Sequence, residues 1–139
     1  SAADDLAKLT ARFAGSFDAL QTSGRIAGKV SGADQGLKAV EGILKPGGEL
    51  LGDAGSEGVR ELSGASIKEA KALAGKIAGT VGGKVHKTLD RGGVVIKLDN
   101  DLGFITYRTF STKSGDATKA TVDINIQGFD EVDEIKFNK

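Results

Sequence analysis

The sequence predicts an α+β fold, with N-terminal helices followed by a four-stranded antiparallel sheet packed on a helix. Three observations carry this. Apolar residues recur at helical steps early in the chain, Ser66 and Glu69 stand at the spacing of a capping box, and after Gly92-Gly93 the texture becomes β-branched and alternating.

In chain order, Leu6, Leu9, Phe13, Phe17 and Leu20 form the stripe of an amphipathic helix over residues 2–20. A Gly/Ser-bearing stretch leads to a second, shorter helical pattern with Leu37, Val40, Ile43 and Leu44. Lys45-Pro46-Gly47-Gly48 closes it, because Pro cannot continue a helix and Gly readily ends one. Residues 49–65 carry four Gly and no sustained period, which predicts a loop or linker. From Ser66, the residues Ile67, Ala70, Leu73, Ala74, Ile77 and Val81 keep a helical step up to Gly82-Gly83. Four short strands follow, at 94–98, 103–111, 120–126 and 134–137, joined by turn-forming residues such as Asp99-Asn100-Asp101 and Lys113-Ser114-Gly115-Asp116. Short links make antiparallel neighbours the expectation.

The 139 residues include 19 basic and 19 acidic side chains, 39% apolar residues and 21 Gly, which fits one globular domain with a small appendage. A net charge of zero argues against a bulk nucleic-acid coat or a polybasic membrane binder. With no Cys and a single His, disulfides, thiolate zinc sites, cysteine nucleophiles and multi-histidine metal clusters are excluded. Asp99-Asn100-Asp101 lacks the later Glu of a calcium loop, and Gly79 to Lys84 lacks the strand-first context of a phosphate loop. The Ala/Gly-rich helix bears too many lysines for stable membrane insertion. Met is absent even at position 1, and the chain is expected to be an excised piece of a longer protein.

If Val94, Ile96 and Leu98, Val122, Ile124 and Ile126, and Ile135 and Phe137 point inward, alternation sends Val95 and Lys97, Thr121, Asp123 and Asn125, and Lys136 outward. The strand from Gly103 reads as mixed on both faces, so either Arg108 or Tyr107 could join the polar set. His86, amid Lys84, Lys87 and Arg91, is the one side chain that titrates near neutrality when unperturbed. From Lys84 to Lys119 seven basic residues face four acidic ones, a mild local excess suited to phosphate oxygens.

The run GFITYRTFSTKSGDATKATVDINIQG, followed by EIKFN, resembles the C-terminal toxin domains of bacterial polymorphic toxins, including contact-dependent growth inhibition proteins. The resemblance lies in an Arg strand, a Ser-x-x-Ser-Gly turn, a Thr-Val-Asp strand and an Ile-Lys-Phe strand. The matching positions are Arg108, Ser111, Ser114, Gly115, Thr121, Val122, Asp123, Ile135, Lys136 and Phe137, and they cover roughly the last third of the chain. Such domains are often ribonucleases of the barnase/EndoU/colicin/RelE-like group. The resemblance implies a metal-independent endoribonuclease, acting on tRNA first and rRNA second, with no cofactor. A cognate immunity protein and RNA are the implied partners, with a host factor in the target cell as a further candidate. It also implies residues 1–55 as a helical entry or linker region and 56–139 as the toxin domain. That domain would be secreted or cell-surface as part of a larger protein and would act in the target-cell cytoplasm.

Metal-free RNA cleavage needs a base for the 2′-hydroxyl, an acid for the leaving 5′-oxygen, and cations or donors for the phosphorane. On this reading His86 is the acid or base, Arg108 the cation, and Ser111 and Thr121 the hydroxyl donors. Asp123 is the second proton-transfer group or an orienter of His86. Tyr107 would stack on a base or donate to phosphate, Thr109 would join it, and Lys87, Lys97 and Lys113 would hold substrate phosphates. The rival expectation is a non-enzymatic interaction or receptor-binding module of a large secreted protein, in which Arg108 and Asp123 form a structural cross-strand pair.

Overall fold

The capping box expected at Ser66 is formed: its hydroxyl accepts from the backbone N–H of Lys68 at 3.2 Å, and the Glu69 carboxylate accepts the backbone N–H of Ser66 at 2.8 Å. These bonds start α3 (Ile67–Val81), and Gly82, at a φ of 85°, ends it. The computed structural model describes residues 2–109 and 118–139, with side chains from Phe13 onward. Within them, α1 (Ala2–Ser23) lies along α3, and α2 (Ala33–Leu44) buries Val40 and Leu44 before Pro46 opens a short 3-10 turn.

α3 is Ala/Gly-rich because it is packed on two sides, by α1 and by the sheet. At Gly75 a Cβ would stand 2.6 Å from the Phe13 carbonyl oxygen and 2.9 Å from the Phe17 nitrogen, so only glycine admits the α1 backbone this closely.

The sheet corrects the expected architecture. Among the described residues it has eight strands and is mixed, accompanied by three helices, where the sequence predicts four antiparallel strands. The four expected strands are present as β5 (Val94–Leu98), β6 (Gly103–Thr109), β7 (Thr118–Ile126) and β8 (Glu134–Asn138), an antiparallel meander. Four more extend it: β1 (Arg25–Ile26), β2 (Asp53–Ala54), β3 (Val59–Ser63) and β4 (Gly83–Thr88). The order is β1-β4-β5-β6-β7-β8-β3-β2, and β3 pairs with β8 in parallel. A parallel neighbour needs a long crossover, here supplied by α3 and the whole meander. Residues 49–65, expected to be a loop, therefore contain two strands. The Arg60 side chain fixes the approach to them by donating to the carbonyls of Leu50, Leu51 and Gly52.

Val94, Ile96, Ile105, Tyr107, Val122, Ile124, Ile135 and Phe137 point to one side and form one hydrophobic cluster with Phe17, Leu20, Val40, Leu44, Leu73 and Ile77 of the helices. Each fully buried aliphatic or aromatic side chain there contributes about 1.5–3 kcal/mol relative to exposure. Phe17 and Leu20, from the expected entry region, are part of this cluster. With the helices on that side, the other sheet face is left to polar residues.

Candidate functional site

The strand registers place the outward residues in rows. One row runs Arg108, Thr121, Lys136 and Glu61 across β6, β7, β8 and β3. The next runs Lys87, Val95, Thr106, Asp123, Glu134 and Val59. A third runs Lys84, Lys97, Phe104 and Asn125.

Where the first two rows meet, Arg108 reaches Asp123 at 2.8 Å and Glu134 at 3.6 Å. Burial raises the affinity of the Asp123 carboxyl for its proton, and the Arg108 charge opposes this. The negative charge of Glu134 and its hydrogen bond to Asp123 raise it again, so the Asp123 carboxyl is held above its ordinary value, chiefly by burial. Thr121, the register partner of Arg108, is 0% exposed although it lies on this polar face. Among the described residues neither its hydroxyl nor the buried Nε of Arg108 has a hydrogen-bond partner. Both atoms lie beneath the surface, and what an anion in solution can reach here is the exposed part of the Arg108 guanidinium.

Of the sequence-predicted residues, the structure brings Arg108, Thr121 and Asp123 together and puts Lys87 and Lys97 on the same face. His86 sits at a bulge in β4, where the register shifts between Val85 and Lys87. Its ring meets Phe104 edge-on, with centroids 5.3 Å apart. The hydrogen-bond partners of Asp123 are Arg108 and Glu134, so the role of orienting His86 falls away. Tyr107 and Thr109 are corrections, because both belong to the opposite face of β6. Tyr107 is 1% exposed and packs on Phe17 with centroids 5.1 Å apart, which removes it from any substrate. The Thr109 hydroxyl donates to the Arg91 carbonyl at 3.1 Å. Ser111 and Lys113 lie outside the described residues.

The residues that sequence reasoning missed are Phe104, Thr106 and Glu134. Two-residue alternation from Arg108 identifies the first two once the facing of β6 is known, and Glu134 is found only through its register with Asp123. A mainly apolar cavity of about 510 Å³ lies elsewhere, lined by Ile67, Lys68, Lys71, Lys119 and Lys139 with the helix-capping Ser66, and it holds no carboxyl or imidazole. Among the described residues no cluster of potential metal ligands occurs, and no helix is long and apolar enough to cross a membrane.

Fold and site together define an α+β protein whose sheet keeps one face uncovered and charged. No protein-family model matches the chain, and neither a curated protein nor a solved structure matches it.

Proposed function

We propose that the outer face of the sheet is a metal-independent endoribonuclease site and that the protein is an antibacterial toxin domain, with tRNA the first substrate to test and rRNA the second. The observation that carries this is the partly exposed Arg108 guanidinium on the sheet's polar face, with the Asp123 carboxylate at 2.8 Å and that of Glu134 at 3.6 Å. Arg108, whose side chain is 44% exposed, would bind the non-bridging oxygens of the scissile phosphate and stabilise the phosphorane, and the buried Thr121 hydroxyl beneath it would act only through Arg108. Asp123, whose affinity for a proton burial raises, would take the 2′-hydroxyl proton. His86, on the β4 side of the same face, is the candidate to protonate the leaving 5′-oxygen. A cognate immunity protein that neutralises the domain would have to cover this face and present acidic groups to its basic side.

One observation favours the rival reading of a non-enzymatic interaction module: Arg108 and Asp123 do form a cross-strand ion pair at 2.8 Å. An ion pair between partly exposed groups contributes at most about 1 kcal/mol, and it leaves the Thr121 hydroxyl unexplained. The test is incubation of the protein with total bacterial RNA in EDTA, resolved on a denaturing gel beside the Arg108→Ala, Asp123→Asn and His86→Ala proteins. Discrete fragments that vanish with Arg108→Ala are expected. Intact RNA in every lane would leave the interaction module as the better reading.

A further inference from the structure

β4, β5 and β6 read GKVHKT, VVIKL and GFITYRT, and these three adjacent strands contain Lys84, Lys87, Lys97 and Arg108 but no carboxylate. The acidic residues of the sheet's polar face, Glu61, Asp123 and Glu134, stand on β3, β7 and β8. That face is thus cationic across β4 to β6 and mixed beyond them, where Lys136 stands among Asp53, Glu61, Asp123 and Glu134. Within the cationic half, Lys84 and Lys97 are direct cross-strand partners. Like charges directly opposite each other destabilise a strand pair, and their row, from Arg25 through Phe104 to Asn125, holds no carboxylate; the acidic groups near the two lysines are Asp99 and Asp101 at its end. Phe104 is a half-buried ring on a face that no helix covers, and the His86 ring braces it edge-on at 5.3 Å. Beyond this row Asp99 and Asp101, with Arg25 ion-paired to Asp99 at 3.8 Å, line a polar cavity of about 210 Å³ with the two lysines and end the positive stretch.

We propose that Phe104, Lys84 and Lys97 form a subsite for an unpaired nucleotide of single-stranded RNA, with the base stacked on the Phe104 ring and the neighbouring phosphates held by the two lysines. This rests on the ribonuclease reading and deepens it by assigning the substrate class. Phe104 precedes Thr106 by two residues on the same face, and Thr106 faces Asp123, so the subsite lies about 7 Å along the strand from the carboxylate pair. That offset is comparable to one nucleotide step. The stacked base would belong to the nucleotide next to the scissile phosphate, and the ring would select for loops and unpaired segments, since bases in a duplex cannot be splayed onto it.

The experiment measures binding of the whole protein to fluorescent 2′-O-methyl oligonucleotides, which lack the attacking hydroxyl and stay intact, as single strands and as duplexes over a range of salt. Single strands are expected to bind at least ten-fold more tightly than duplexes. Phe104→Leu should weaken single-strand binding about ten-fold, and Phe104→Trp should retain it, which separates lost stacking from a disturbed sheet. Lys84→Gln and Lys97→Gln should each reduce the slope of log affinity against log salt by about 0.7. Single-strand binding unchanged by Phe104→Leu, or equal affinity for duplexes, overturns the subsite while leaving the ribonuclease reading intact. Absence of both binding and cleavage overturns both.

Discussion

Thr121 has the strongest claim to function at the scale of single residues, because it is the one fully buried polar side chain among the described residues and its hydroxyl has no partner. Removing an unsatisfied buried hydroxyl with an isosteric side chain relieves a desolvation penalty. Thr121→Val is therefore expected to leave stability unchanged or raise it by up to about 1 kcal/mol, read by urea unfolding. On the ribonuclease reading RNA cleavage should fall, by less than the ~100-fold loss of a donor in direct contact with a developing oxyanion, because the hydroxyl is buried beneath Arg108. Lower stability with full cleavage would mark the hydroxyl as structural. Tyr107 gives a second test. Burial pushes its phenol from 10.0 up to about 12, so the folded protein holds that proton more tightly than the unfolded chain does. The stability this gives is complete below pH 10 and is lost as pH rises through about 12, amounting to about 2–3 kcal/mol. Tyr107→Phe should flatten stability against pH in that window. Asp123 behaves the same way in acid, where its raised proton affinity favours the fold below its unfolded value and the advantage fades as pH rises. Asp123→Asn should remove that decline. Arg108, Thr121 and Asp123 were legible as polar residues at alternating positions, but the facing of Tyr107 was not. Both faces of β6 carry one aromatic residue and threonine, and the contact of Tyr107 with Phe17, from a helix ninety residues earlier, decides between them.

At the scale of elements, α3 owes its legibility to local signals. Its capping box and apolar step act within a few residues, so Ser66→Ala should cost about 1 kcal/mol in thermal or urea unfolding. Its contact with α1 was not legible, because nothing in the sequence near Gly75 reveals that another backbone crosses there. Gly75→Ala gains up to about 1 kcal/mol in helix propensity, yet its Cβ would stand 2.6 Å from the Phe13 carbonyl oxygen. Net destabilisation of about 1–2 kcal/mol is expected, with α1 amides losing hydrogen-exchange protection first. β5 to β8 were readable because each alternates and pairs with its chain neighbour. β3 has a single fully buried residue, Leu62, and its partner strand lies some seventy residues away, so no local period announces it. β4 begins in Gly83 and carries a bulge at His86, which interrupts the alternation a strand needs to be recognised.

For the whole molecule, composition was a poor guide to electrostatics. Equal numbers of acidic and basic residues conceal a face with only cations on β4 to β6 and with carboxylates, joined by Lys136, on β7, β8 and β3. The sheet ends on both sides in strands of two residues, β1 and β2, which leave little free edge for another chain to extend. Parallel pairing of β3 with β8 encloses the rest of the sheet, and such distant pairing predicts refolding in milliseconds to seconds by stopped-flow fluorescence or circular dichroism, slower than a helical bundle of this length. The same pairing governs events on the ribosome. β3 has only the two-residue β2 beside it until Glu134–Asn138 has been synthesised and inserted between it and β7, and Glu134 is also one of the two carboxyls facing Arg108. Translation must therefore pass residue 138 before the β4–β7 ribbon is joined to β3 and before Glu134 can stand beside Arg108, so the two halves of the sheet are united only by its last strand.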